Sequence, residues 1–107
     1  MYSANQIANY FLSLTDEEVG DVMTNLNLQK LLYYAQGFHL AIHERPLFSE
    51  PIEAWMHGPV VPETYHLYSQ HGAMPIPYPE DFEPSAIDED TRELLDEVYD
   101  VYGQFSA

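Results

Sequence analysis

Cysteine is absent from the sequence, and its absence removes several classes of small protein. Disulfide-stapled domains, thiolate zinc sites and cysteine nucleophiles all need this residue. Proteins of reducing compartments do without disulfides, so a cysteine-free chain is consistent with the cytoplasm. Residues 1–20 also lack the basic region and the small-residue cleavage site of a signal peptide, and we therefore expect a cytoplasmic location.

Positive charge is nearly as scarce. Lys30, Arg45 and Arg92 are the only fixed cations, against 18 acidic residues, and the formal net charge is −15 at pH 7. Phosphate groups repel a chain this negative, so direct binding to nucleic acid or to anionic membranes is disfavoured. A basic protein partner would instead be attracted over a long range. An acidic surface that only keeps the protein soluble, or that reflects a saline cytoplasm, explains the charge equally well.

Long apolar runs and glycine-rich loops are missing too. No stretch of the sequence approaches the ~18 apolar residues that are needed to cross a membrane. The 5 glycines are scattered singly, so the sequence has no phosphate-binding loop. No serine stands in a nucleophile elbow of the G-x-S-x-G type. We therefore predict that the chain is not an enzyme.

The 107 residues do contain a hydrophobic fraction of 46%, which is enough for one small core. Apolar residues at helical spacing predict helices over 3–14, 24–44 and 87–105. Pro62 is a favoured first residue for a further short helix, and Gly72 is a suitable stop for it. The sequence therefore predicts about four helices.

The segments between these helices carry most of the prolines. Residues 45–55 combine two prolines with alternating apolar side chains, which predicts extended segments or a short hairpin. Residues 73–86 hold four of the 8 prolines and predict an irregular loop. The expected fold is mainly α: a compact single-domain bundle of about four helices, with a short extended segment or β-hairpin between helices two and three.

The second predicted helix has an apolar stripe along its whole length. Gly37 lies in its middle, and a glycine at such a place usually marks the close crossing of another element. We expect the stripes of the second and last helices to face the core. The stripe of the second helix comprises Leu28, Leu31, Leu32, Ala35, Phe38, His39 and Ile42; that of the last comprises Ile87, Leu94, Leu95, Val98, Val101, Tyr102 and Phe105.

Histidine offers the remaining candidates for chemistry. His39 and His43 are four residues apart on one predicted helix, a spacing that can bind a metal. A metal site needs a further ligand, and Leu40 stands where a zinc-binding helix would carry its glutamate. Because His39 also lies on the apolar stripe, a hydrogen-bonded core histidine is the better interpretation, and no metal is expected.

The stretch E-A-W-M-H-G-P-V-V, residues 53–61, predicts a packed corner rather than a catalytic pocket. Trp55 is large enough to anchor a small core, and its removal would then cost ~3–5 kcal/mol. Gly58 permits a close approach or a positive φ, and Pro59 fixes the turn that follows. We expect Lys30, the only lysine, to pair with a carboxylate; a role as an exposed contact residue is the alternative.

Three motifs in the central part of the chain occur in a familiar order and spacing. They are L-Q-K-L-L-Y-Y at 28–34, P-L-F at 46–48 leading to E-A-W at 53–55, and G-P-V at 58–60 followed by Pro62 and Tyr65. In combination they resemble the Panacea domain, the domain of SocA-like antitoxins and of GepA-type phage-associated proteins. The resemblance covers residues 3–72, and the last predicted helix fits the family more loosely.

The resemblance implies a mostly helical domain that binds and neutralises a cognate toxin, encoded by a neighbouring gene, without a cofactor or catalytic activity. At least one family member instead delivers its toxin to the ClpXP protease as an adaptor, and that alternative stays open. Family members also continue into a segment with Thr-His and Pro-Trp pairs that this sequence lacks. Residues 1–107 would then be a Panacea-like antitoxin domain without that segment, as a shortened member or as part of one.

Two sets of residues follow from these considerations. We expect exposed aromatic and acidic side chains near the proline-rich loop to contact the toxin: Tyr68, Tyr78, Asp81, Phe82 and Glu83. We expect the motif residues to hold the fold: Leu28, Gln29, Lys30, Leu31, Tyr34, Trp55, Gly58, Pro59 and Tyr65. The acidic surface suits a toxin with a basic site for tRNA or a nucleotide, and its association with such a toxin would slow steeply as salt is added.

Overall fold

The computed structural model describes residues 1–16, 20 and 22–103 of the chain. Within these residues four α-helices form a small core, and a two-stranded antiparallel hairpin lies between the second and third helices. The helices are α1 (Ala4–Ser13), α2 (Asn25–His43), α3 (Pro62–Tyr68) and α4 (Glu89–Tyr102), and the strands are β1 (Glu53–Trp55) and β2 (Gly58–Val60). The predicted fold, mainly α with a hairpin between helices two and three, is confirmed.

Local capping signals explain where the first two helices begin. The Ser3 hydroxyl accepts the N–H of Gln6 at 3.1 Å, and the Gln6 side chain accepts the N–H of Ser3 at 2.9 Å, which completes a capping box. Thr24 caps α2 by accepting a backbone N–H of the first turn at 3.3 Å. At its other end α2 stops at Glu44, whose left-handed φ of 57° breaks the helix.

The core is centred on α2, which packs against α1, α3, α4 and β2. The buried residues of the core are apolar and recur at helical spacing on each helix. They include Ile7 and Phe11 of α1, Leu28, Leu31 and Leu32 of α2, and Leu95 and Val98 of α4. None of the helices in the described part of the chain is long and apolar enough to cross a membrane.

The hairpin turns at Met56 and His57, and Gly58 begins β2 directly after the turn. Its register pairs Glu53 with Val60 and Trp55 with Gly58. Gly58 has a φ of 123°, a conformation that residues with a Cβ rarely adopt, so glycine is the residue that fits this position after the turn. Of the two roles that the sequence allows for Gly58, a close approach or a positive φ, the structure shows the positive φ.

The proline-rich segment between α3 and α4 is irregular, as predicted. Two short 3₁₀ turns accompany it, Ser69–His71 before it and Pro84–Ala86 within it. Ile76 is buried, and its N–H donates to the carbonyl of Met23 at 2.8 Å, which fastens the segment to the start of α2. The segment then leads to Asp88, the N-cap of α4.

Two expectations for the helices are wrong. Gly37 is exposed, and within the described part of the chain no other element comes within 4 Å of the position that a Cβ would take there, so the expected close crossing is not found. The stripe of α2 also does not stay buried, because Phe38 and Ile42 are 40% and 61% exposed. Helical spacing shows which residues share a face of the helix. That face is buried only where another element packs against it. Phe105, predicted for the stripe of the last helix, lies outside the described residues.

Candidate binding surface

The buried side chain of Gln29 joins α2 to the start of α3. Its carbonyl oxygen accepts the backbone N–H of Val61 at 2.9 Å and the hydroxyl of Thr64 at 3.2 Å. Its amide nitrogen donates to Asn25 at 3.0 Å, and Asn25 in turn donates to the carbonyl of Tyr65 at 3.0 Å. Because α3 has no side-chain cap of its own, these bonds satisfy buried polar groups that would otherwise lack partners.

Gln36, seven residues further along α2, holds the P-L-F segment in the same way. Its amide nitrogen donates to the carbonyl of Phe48 at 2.8 Å, and its carbonyl oxygen accepts the N–H of Leu47 at 2.7 Å. Gln36 lies outside the motifs and stripes that the sequence presents. The available signal was a second glutamine two helical turns from Gln29, on the same side of the helix.

His39 is the hydrogen-bonded core histidine that the sequence indicates. It is buried, and its Nδ1 lies 2.8 Å from the carbonyl oxygen of Arg45, which can only accept, so Nδ1 carries the proton. His43 is exposed, with its ring centroid 4.6 Å from that of His39. Among the described residues, no group of three or more histidine and carboxylate side chains is placed to hold a metal ion.

Trp55 does not anchor the core, contrary to the prediction. It is only partly buried, and its indole N–H donates to Glu53 at 3.0 Å. Its ring meets that of Tyr65 edge-on, with the centroids 5.0 Å apart. Val61, just beyond the hairpin, occupies the core instead. The corner is therefore packed on its inner side by a valine, while Trp55 covers Tyr65 from the outer side.

The remaining motif residues near the hairpin lie around this corner. Leu28 and Leu31 are buried in the core. The Cε of Lys30 lies 4.0 Å from the position that a Cβ would take at Gly58, so the lysine stem covers the turn. Pro59 is partly buried and pairs across the hairpin with β1. The motif thus collects residues that join α2 to the hairpin.

Tyr68 was expected to be an exposed contact residue, and that expectation of exposure is wrong. Its side chain is 9% exposed, and its hydroxyl is shared between the side-chain oxygens of Asn5 and Asn9, at 3.0 Å and 3.3 Å. Burial raises the pKa of this hydroxyl above its usual value. The cause is the orientation of α3, which directs Tyr68 toward α1 rather than toward solvent.

The other four predicted contact residues lie on the proline-rich segment. Tyr78, Asp81 and Glu83 are exposed. Phe82 is partly buried, and its ring meets that of Tyr10 edge-on with the centroids 6.4 Å apart. Phe82 therefore fastens the segment to the core. Tyr78, Asp81 and Glu83 form an exposed surface of mixed aromatic and acidic character. Their contact with a toxin stays a prediction.

A second exposed surface lies between α2 and α4, where the sequence predicted core. We call it the α2–α4 groove. It has a volume of about 230 Å³ and is lined by Phe38, Ile42, Leu94, Glu97, Val98, Val101 and Tyr102. The ring of Tyr102 stacks on that of Tyr34, with the centroids 4.0 Å apart and the planes 15° from parallel. Contiguous apolar side chains left in contact with water often mark an interaction site.

Acidic side chains follow one side of α4 beside this groove. They are Asp90, Glu93, Glu97 and Asp100, which recur at helical spacing and are all exposed. We call them the acidic line of α4. Of the four, Glu97 lines the groove itself. The surface therefore combines an apolar floor with a negatively charged border.

Two tyrosine hydroxyls position α4 against the N-terminal part of the chain. Tyr2 donates to the carboxylate of Asp88, and Tyr10 donates to that of Asp96. The bond from Tyr2, with a further one from Thr91, lowers the pKa of Asp88 to about 2. Burial, together with the bond to Asp96, raises the pKa of Tyr10 well above its usual range. These bonds fix one wall of the groove.

Comparison with known proteins identifies the family. The family model described as "Antitoxin SocA-like, Panacea domain" matches residues 28–107. Antitoxin SocA of Caulobacter vibrioides (strain NA1000 / CB15N) is 48% identical over 50 residues, which are 47% of this chain and 27% of that relative. No solved structure shows a significant match. Because the family model covers most of the sequence, the chain belongs to the SocA-like Panacea domain family.

Proposed function

We propose that this chain is an antitoxin domain that neutralises a cognate toxin by direct protein–protein contact, without catalysis and without a cofactor. The observation that carries the proposal is the match of residues 28–107 to the SocA-like Panacea model. The similarity to the antitoxin from Caulobacter vibrioides supports it, although the match spans only 27% of that relative.

The character of the surface supports binding as the mechanism. Phe38, Ile42 and Val101 are apolar and 40–61% exposed, so covering them would release free energy. The net charge of −15 would attract a toxin with a basic site for tRNA or for nucleotide phosphates. An antitoxin that covers such a site, or holds the toxin in an inactive form, needs no chemistry of its own. In this proposal the toxin is encoded by a neighbouring gene, and both proteins act in the cytoplasm.

Co-expression tests the proposal. The product of the neighbouring gene is induced alone and together with this chain, and growth is scored in both cases. We expect growth arrest in the first case and recovery in the second. Growth arrest that persists when the chain is present in excess would contradict the proposal.

Adaptor-mediated proteolysis is the alternative mechanism, and the same assay separates it from direct inhibition. The co-expression is repeated in cells that lack ClpXP. Direct inhibition predicts that recovery persists without the protease, whereas an adaptor would lose its effect. Direct inhibition is the preferred mechanism because it requires only a binding surface and no second partner.

A further inference from the structure

We propose that the α2–α4 groove receives an amphipathic helix of the toxin, with apolar anchors on one face and lysine or arginine on its flank. The inference rests on the proposed function, since it names the segment of the toxin that this surface would bind. It is carried by three properties of the groove: its size, its length along α4 and the charge of its border.

The size of the groove favours side chains of a partner protein over a small molecule. Its volume of about 230 Å³ is below the ~300–1,000 Å³ of pockets that enclose small ligands. Its lining is mostly apolar, and only Glu97 and Tyr102 carry side-chain polar groups, too few to enclose and orient a polar ligand. A groove of this kind suits a few apolar side chains that project from another surface.

The length of the groove matches two turns of a helix. Leu94, Val98 and Val101 follow one another at i, i+4 and i+7 along α4, which separates the first from the last by ~10 Å at the helical rise of ~1.5 Å per residue. Phe38 and Ile42, at i and i+4 of α2, form the facing row. A partner helix laid between the two rows would present anchors at the same spacing over the same distance.

The negative charge of the border determines which residues the partner helix should carry beside its apolar face. The acidic line of α4 runs beside the groove, and carboxylates there attract lysine or arginine and repel acidic side chains. In the part of the chain that the structure describes, the fixed cations lie elsewhere. The stem of Lys30 covers the hairpin turn, the Nε of Arg92 is buried, and neither these residues nor Arg45 line the groove.

A second copy of this chain is a poor occupant for the same electrostatic reason. A two-fold contact through the groove would use the same patch on both copies. It would therefore bring two acidic lines together, each on a chain with a net charge of −15. A partner of opposite charge avoids this repulsion.

A designed peptide tests the chemistry of the groove without knowledge of the toxin. The probe is a fluorescein-labelled helical peptide of about 18 residues with leucine at i, i+4 and i+7 and lysine on the flank. One control has the same composition in an order that breaks the apolar face, and another has glutamate in place of lysine. By fluorescence anisotropy we expect both controls to bind about tenfold more weakly, or worse. Absent binding, or equal binding of the reordered peptide, would overturn the proposal.

Neutral substitutions of exposed residues locate the binding site. Ile42→Gln and Val101→Gln remove apolar groups from the groove, whereas Leu40→Gln on α2 and Met56→Gln on the hairpin remove exposed apolar groups elsewhere. We expect the groove variants to weaken binding of the leucine–lysine peptide about tenfold and the two control variants to leave it unchanged. Circular dichroism establishes that all four are folded. Groove variants that bind as well as the unsubstituted chain would exclude the groove.

Charge variants and growth assays complete the test. Glu97→Gln should weaken peptide binding and reduce its salt dependence, whereas Glu63→Gln, on α3, should do neither. In cells where the unsubstituted chain restores growth, Ile42→Gln should fail and Leu40→Gln should succeed. Recovery of growth with Ile42→Gln would show that the groove does not bind the toxin, and it would leave the proposed function intact. Failure of the unsubstituted chain to restore growth would overturn the proposed function. A dimer by ultracentrifugation that Ile42→Gln dissociates would assign the groove to a second copy.

Discussion

The side-chain carbonyl oxygen of Gln29 lies 2.9 Å from the backbone nitrogen of Val61, so a buried residue of α2 takes part in starting α3. A helix start leaves backbone N–H groups without helical partners, and α3 has no side-chain cap within its own sequence. Gln29, which belongs to another helix, accepts one of these N–H groups, that of Val61. This contact gives a physical reason for the glutamine in the L-Q-K-L-L-Y-Y motif.

Replacement of Gln29 by leucine should lower the free energy of unfolding by about 2–4 kcal/mol. Leucine has a similar size but accepts no hydrogen bond, so the N–H of Val61 and the amide of Asn25 would stay buried with a partner missing. Urea denaturation measures the change. The matched control is Gln70→Leu at an exposed position, which should alter stability by no more than about 0.5 kcal/mol. Equal stability of the two variants would show that the buried network contributes nothing.

Trp55→Ala should cost about 1–2 kcal/mol rather than the larger loss expected for a buried anchor. The ring is partly exposed, and its removal gives up an edge-on contact with Tyr65 and some apolar burial without opening a core cavity. Thermal or urea unfolding tests this value. A loss of about 4 kcal/mol would instead indicate that Trp55 is a buried core residue. A folded Trp55→Ala variant that no longer neutralises the toxin would make the tryptophan a contact residue.

Two glycines should respond to alanine in opposite directions. At Gly37 a Cβ would meet no atom of another described element within 4 Å, and the residue lies inside a helix, so Gly37→Ala should raise stability by about 0.5–1 kcal/mol. At Gly58 the φ of 123° is strained for any residue with a Cβ, so Gly58→Ala should lower stability by about 1–3 kcal/mol. Measurement of both variants under one set of conditions checks the pair. Destabilisation by Gly37→Ala would indicate a close neighbour that the structure does not place there.

Tyr2→Phe should change the titration of Asp88. Hydrogen bonds, the largest from Tyr2, lower the pKa of Asp88 from 3.8 to about 2. Because the folded-state pKa is depressed, the ionised carboxylate contributes stability above about pH 4, and that contribution is lost as the pH falls toward 2. Without the Tyr2 hydroxyl, the pKa should rise toward its ordinary value and the pH dependence in this window should flatten.

Carbon-detected NMR of the Asp88 carboxyl during an acid titration measures that pKa directly. Tyr78→Phe removes a hydroxyl from an exposed loop residue and should leave the titration unchanged. The effect on stability should be small, because Asp88 is exposed and solvent screens its interactions. An Asp88 pKa that is the same in Tyr2→Phe and in the unsubstituted chain would remove Tyr2 as the cause.

Apolar periodicity was sufficient to predict the helices, and the prolines and alternating apolar residues of 45–55 indicated an extended segment or a hairpin. Ser3 and Thr24 cap the first two helices because both signals are local and need only the next few residues. The positive φ at Gly58 is equally local. Proline composition likewise indicated the irregular segment before α4.

The surfaces could not be predicted as well, because exposure depends on how the elements pack against one another. Ile42 has the spacing of a core residue and is 61% exposed, while Tyr68 has the chemistry of a contact residue and is buried. Each outcome depends on the direction in which a neighbouring helix approaches, which no local pattern records. The α2–α4 groove was not predicted for this reason, because its apolar residues have the spacing that is typical of core residues.

The central claim is that the chain inhibits a toxin by covering part of its surface. The most direct measurement titrates the purified chain into the purified toxin, without protease, and follows the toxin's activity and the association rate at low and high salt. We expect complete inhibition near stoichiometric amounts and an association rate that falls steeply as salt is added. Full toxin activity in the presence of saturating chain would contradict it.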